Sequence, residues 1–150
     1  MTQLKPGPRR QLWVDAVGGF LVCLADEVVI GQAVPGTAAD IPILGDVSRR
    51  HFAIRREGVG YVFDPMADVR VDGKRISRAT VVADGDEIQL GESVKLRFRQ
   101  PHALSCTARL DLVSNHRPQP SVDAVLLMAD SCILGPGARN HVVCRRWTGD

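Results

Sequence analysis

The sequence predicts an all-β protein, an antiparallel β-sandwich with a short β-rich C-terminal unit. Three observations predict it. Polar and apolar residues alternate strictly in Val94-Lys95-Leu96-Arg97-Phe98-Arg99, so Val94, Leu96 and Phe98 share one face and the three cations the other. Turn signals follow at close spacing: Glu57-Gly58-Val59-Gly60, Asp72-Gly73, Asp84-Gly85 and Gly91-Glu92. No stretch keeps a helical period beyond about two turns, and Thr37-Ala38-Ala39-Asp40 offers one helical turn at most. Many short strands with frequent turns fold as sandwiches or barrels.

In chain order, residues 1–10 read as a flexible tail. Pro6, Gly7 and Pro8 oppose regular structure there, and Arg9-Arg10 is solvated charge. The main domain is expected over 11–113. Val69-Arg70-Val71, Glu87-Ile88-Gln89-Leu90 and Ala108-Arg109-Leu110-Asp111-Leu112 repeat the alternation. Trp13, Phe20, Phe52, Phe63 and Phe98 are its expected core. The polar run 114–121 contains Pro118 and Pro120 and reads as a linker. Residues 122–150 are apolar again at Ala124-Val125-Leu126-Leu127-Met128. They echo the first domain: Leu24 to Gly31 resembles Met128 to Gly135, and each is followed by a His that opens a strand, His51 and His141. A duplicated β-unit explains the echo. The second copy is expected to be a partial, independent unit whose removal after Ser114 leaves the first domain stable.

Composition excludes several classes. With 150 residues, 45% hydrophobic and 24% charged, disorder, collagen and coiled coil are out as the main state. A net charge of +2 gives no argument for nucleic acid or an anionic membrane, and neither is expected as a partner. The apolar runs fall short of the ~20 residues that span a bilayer, and no apolar stretch follows the basic N-terminus, so a cytoplasmic location is expected. Cys23, Cys106, Cys132 and Cys144 form no CxxC pair, and no metal or other cofactor is expected. The catalytic arrangements the sequence offers are Asp46, Ser48 and His51, or Ser48 with His102. Closeness in sequence does not make a triad, and no nucleophile elbow, phosphate loop or dinucleotide fingerprint appears, so no enzyme is expected.

One constellation is more specific. Ile30-Gly31 ends an early strand and Ser48-Arg49-Arg50-His51 opens another. Asp64-Pro65, Val71-Asp72-Gly73-Lys74 and Asp84-Gly85-Asp86-Glu87-Ile88-Gln89-Leu90-Gly91 follow. In this order the chain resembles a forkhead-associated (FHA) domain, with an FHA/SMAD-like sandwich, over roughly Leu12 to Leu112, and the echo makes 122–150 resemble a partial second FHA-like unit. The resemblance implies a reader of phosphothreonine peptides that binds with loops at one end of the sandwich. The residue after the first Gly, here Gln32, is an Arg in the family and holds the phosphate. Ser48 would donate its hydroxyl, with Arg49 and Arg50 flanking it, while Gly31, His51, Asp72 and Gly73 are structural. A phosphate dianion calls for such charge-assisted donors on a rigid frame. Two departures weaken the ligand signal: Gln32 lacks the charge and the fork of Arg, and Met66-Ala67-Asp68 is shorter than the family's loop and carries a carboxylate. The expected partner is a phosphothreonine-containing protein in signalling, or another protein partner bound without phosphate.

Overall fold

Phe20 to Cys23 are four consecutive buried residues, and Ala124 to Leu127 are four more. An apolar run without alternation belongs in a strand covered on both faces, and both runs occupy the interior of the larger sheet. The computed structural model describes residues 7–102, 105–118, 121–129 and 131–145. The strands are β1 (Arg9–Val14), β2 (Gly18–Cys23), β3 (Glu27–Gln32), β4 (Ile41–Leu44), β5 (Phe52–Glu57), β6 (Gly60–Pro65), β7 (Val69–Val71) and β8 (Lys74–Ile76). They continue as β9 (Thr80–Val82), β10 (Glu87–Leu90), β11 (Val94–Arg99), β12 (Ala108–Leu112), β13 (Arg117–Pro118), β14 (Ala124–Leu127), β15 (Leu134–Gly135) and β16 (Val142–Val143). No helix occurs among the described residues, and the all-β sandwich stands.

The larger sheet has the order β1-β2-β14-β12-β11-β10-β7-β8, the smaller one β13-β4-β3-β5-β6-β9, and β15 and β16 form a third pair. Alternation sets the core between the two large sheets. Val94, Leu96 and Phe98 point inward from β11 to meet Phe52, Ile54, Tyr61 and Phe63. Phe63 lies edge-on to Phe52 at 5.3 Å and to Phe98 at 5.5 Å, the offset geometry aromatic rings prefer. The turns behave as their residues require. Asp72 and Gly73 both take positive φ, 50° and 85°, the two left-handed positions of a tight hairpin.

The structure corrects five expectations. The sheets are mixed: β14 runs parallel to β2 and β4 parallel to β3, while the other pairs in the two large sheets are antiparallel. The tail expected over 1–10 overlaps β1, which begins at Arg9 and pairs with Cys23. Part of the expected linker is structured, since Arg117 and Pro118 pair with Leu44 and Ile43 along β4. Trp13, opposite Gly19 on the edge strand β1, is 76% exposed and so is surface rather than core.

The fifth correction concerns residues 122–150, whose described part, 122–129 and 131–145, packs on the first domain instead of standing apart. β14 lies between β2 and β12, with Ala124 opposite Phe20 and Asp111, and Leu127 opposite Cys23 and Ala108. The segment after it covers the outer face of that sheet. Val14, Phe20, Val22, Ala124, Leu126, Val142 and Cys144 form a second buried cluster there. The Arg109 guanidinium sits 5.5 Å above the Phe20 ring and donates to the His141 carbonyl at 2.8 Å. His141 is fully buried. Its Nδ1 accepts the Ile133 N–H at 2.9 Å and its Nε2 bonds the Thr107 carbonyl at 3.0 Å. The apolar face of two strands needs a cover, and the first domain supplies it.

Candidate functional site

The site is built by β3, by the turn leading into β5, and by the loop after β6. Gly31 comes first because the turn presses on it. A Cβ at Gly31 would lie 1.8 Å from the Arg49 carbonyl oxygen, so no other residue fits there without moving the backbone. The contact is sealed by hydrogen bonds on either side. The Gln32 N–H donates to the Ser48 carbonyl at 2.9 Å, and the His51 N–H donates to the Ile30 carbonyl at 2.8 Å.

His51 is the junction of three segments. It is 3% exposed. Its Nδ1 accepts the Ser48 N–H at 3.1 Å, so the ring hydrogen is on Nε2, which donates to the Asp68 carbonyl at 2.6 Å. Its own carbonyl accepts from Met66 at 2.9 Å and Ala67 at 3.1 Å. One buried ring therefore fixes the Ser48 turn against the 66–68 loop, and all of its polar atoms are spent on that task. Nothing is left over for proton transfer.

The turn so held presents its side chains outward. Ser48 and Arg49 are exposed, and Arg50 and Gln32 are half-buried. Arg49 and Arg50 line a cleft of about 220 Å³ whose other wall is Val34 to Ala38. Among the described residues neither arginine enters an ion pair. Two uncompensated guanidiniums on a braced turn can take an anion by charge-assisted hydrogen bonds. Asp68, which would oppose an anion, is turned to Arg75. Its Oδ1 lies 3.3 Å from the Arg75 Nε, an ion-pair distance without hydrogen-bond alignment.

The structure therefore brings together Gly31, Gln32, Ser48, Arg49, Arg50 and His51. It does not bring Asp72 and Gly73 to them. β7 runs away from the 66–68 loop, so the Asp72-Gly73 tip lies at its far end, next to the start of β10. There the Asp72 carboxylate accepts the Glu87 N–H at 2.9 Å, and that bond holds its carboxyl below the usual carboxylate range. The sequence reading missed the wall formed by Val34 to Ala38. Pro35-Gly36 was its only sequence signal, a turn dipeptide with nothing to tie it to Arg49.

The remaining chemistry is sparse. No group of three or more metal-ligating side chains occurs among the described residues. No helix is long and apolar enough to cross a membrane. All four cysteines are free; Cys23 and Cys144 are buried, whereas Cys106 and Cys132 are half-buried. Burial, aided by Asp40, pushes the Cys23 thiol up to about 12, so it is inert.

The segment that builds this geometry matches a known family. The family model of the FHA domain matches residues 28–91, from β3 to the end of β10, a narrower span than the Leu12 to Leu112 resemblance. A search of curated proteins returns no match. The chain is similar to the solved structure Rv0020c_FHA, at 28% identity over 55% of this chain and 84% of that one, with a TM-score of 0.38. The matched segment contains the Gly31 contact, the Ser48 turn, the His51 brace and the Asp72 hairpin. Residues 28–91 of this chain match the FHA domain.

Proposed function

We propose that the cleft between Arg49, Arg50 and the Val34–Ala38 loop binds the phosphate of a phosphothreonine peptide in a signalling partner. FHA domains are modules of protein interaction that recognise phosphopeptides, and the match over residues 28–91 supports that reading here. The observation that carries the finer reading is the pair of guanidiniums without ion pairs on a turn braced by buried His51. They stand beside Gln32, the position from which an arginine serves the phosphate elsewhere in the family. In this chain the charge sits on the turn opposite. Ser48 is exposed on the same turn and supplies a hydroxyl donor.

The test is a degenerate phosphothreonine peptide library with its unphosphorylated twin as control. The phosphorylated library should bind and the twin should not. Each charge-assisted contact is worth roughly 1.5–3 kcal/mol, so Arg49→Ala with Arg50→Ala should weaken binding by at least about tenfold. Gln32→Arg should strengthen it about fivefold, with a gain that shrinks at high salt. Equal binding of both libraries would favour the second reading, a scaffold that docks a protein without phosphate, which Gln32 itself supports.

A further inference from the structure

The outer face of the larger sheet is divided. Over β1, β2 and β14 it is apolar and covered by the C-terminal segment. Over β8, β7, β10 and β11 it is open. Register places Arg75 opposite Arg70, Arg70 opposite Gln89, Gln89 opposite Lys95, and Glu87 opposite Arg97, with Arg99 two residues further along β11. Their neighbours Val69, Ile88, Leu90, Val94, Leu96 and Phe98 are buried, so the polar set stands together on the outside.

With β12 included, this face carries six cations, Arg70, Arg75, Lys95, Arg97, Arg99 and Arg109, against three carboxylates, Glu87, Asp68 and Asp111: an excess of three. Glu87 is shared by Arg97 at 3.3 Å and Lys95 at 4.0 Å. Arg70 and Arg99 enter no ion pair among the described residues. Cations also face one another directly: Arg70 opposes Arg75, and Arg99 opposes Arg109 on β12. Like charges directly opposite one another destabilise a sheet. Asp68 and Asp111 compensate Arg75 at 3.3 Å and Arg109 at 2.8 Å, which leaves Arg70 and Arg99 as the cations that an incoming anion meets.

We infer that this face docks an extended, acidic segment of a protein partner. Lys95, Arg97 and Arg99 repeat every second residue on one strand, about 7 Å apart. Alternate carboxylates of an extended peptide repeat at the same distance. The four strands span about 14 Å, room for four or five residues. Guanidiniums match carboxylates bidentately. No aromatic side chain stands among these residues, so a nucleic acid has no base-stacking platform.

The probe is a fluorescent ten-residue peptide of alternating Glu and Ser, titrated by anisotropy at 50 mM and 300 mM salt, with a Gln-Ser peptide as control. The acidic peptide should bind at low salt and weaken at high salt, and the control should not bind. Arg70→Gln, Lys95→Gln and Arg99→Gln together should cost at least tenfold while the melting temperature holds, because all three side chains are exposed. Arg49→Ala with Arg50→Ala reports on the phosphothreonine cleft separately, since a failed cleft leaves the acidic-peptide result standing. Absence of binding, or unchanged binding to the triple variant, would overturn the inference. So would tighter binding by that face of ten-residue oligo-dT or phosphatidylserine vesicles.

Discussion

Cutting the chain after Ser114 removes an interior strand. β14 leaves, and with it the ladder that joins the β1–β2 hairpin to β12. Val125, Leu126 and Leu127 lose their burial, and Phe20 and Val22 lose the cover that Val142 and Cys144 provide. A large buried apolar side chain is worth about 1.5–3 kcal/mol, so Val125, Leu126, Leu127 and Val142 alone amount to roughly 6–12 kcal/mol. A domain of this size has about 5–15 kcal/mol in total. The truncated protein should therefore be unfolded or aggregated, with an exposed hairpin edge to drive association. Urea denaturation followed by circular dichroism tests this beside a milder probe, Leu126→Ala. That variant keeps the chain whole and should cost about 2–5 kcal/mol, because Leu126 is fully buried. A truncated protein with the full-length urea midpoint would refute the reasoning, as would a Leu126→Ala variant that loses nothing.

Two further outcomes follow from the same contacts. Gly31→Ala places a methyl 1.8 Å from the Arg49 carbonyl, so the Ser48 turn must move; a lower melting temperature together with weaker phosphopeptide binding is expected, and retention of both would show the turn to be free. Burial lowers the His141 pKa from the usual 6.5, against the pull of the Thr107 carbonyl. The unfolded chain then takes up a proton more readily than the folded one. Its contribution is complete above about pH 7 and is lost as pH falls through and below 6.5. Melting temperatures at pH 7.5 and 5.5 should show the drop, and His141→Gln should reduce it; an equal drop in both proteins would assign it to other groups.

Local patterns were legible, and long-range partners were not. The Val94–Arg99 alternation gave both faces of β11, and Asp72-Gly73 named a hairpin whose positive φ values the structure has. The Gly31, Ser48 and His51 spacing located the braced turn, because that geometry needs those residue types at those positions. Ala124 to Leu127 was visible as apolar but not as interior, since a strand buried on both faces carries no alternation to say which sheet it enters. Its parallel partner lies 104 residues earlier, as the Gly19–Asp123 hydrogen bond records, and no local rule reaches that far. Arg49 and Arg50 were legible as charge. That they lack ion pairs is a property of the packed molecule, because it depends on where every carboxylate ends up.

The placement of β14 also sets an order of events during synthesis. The β1–β2 hairpin is made about 104 residues before the strand that joins it to β12. At about 5–20 residues per second, the hairpin waits on the order of five to twenty seconds with its inner edge open. Contacts this distant in sequence also make closure slow once the chain is complete. The segment 28–91, by contrast, holds β3, β5 and β6, which pair with near neighbours and can assemble while the chain is still growing. The Ser48 turn and the 66–68 loop are therefore in place before the sheet behind them is finished, and the interval before β14 docks is when the nascent chain is most exposed to mispairing.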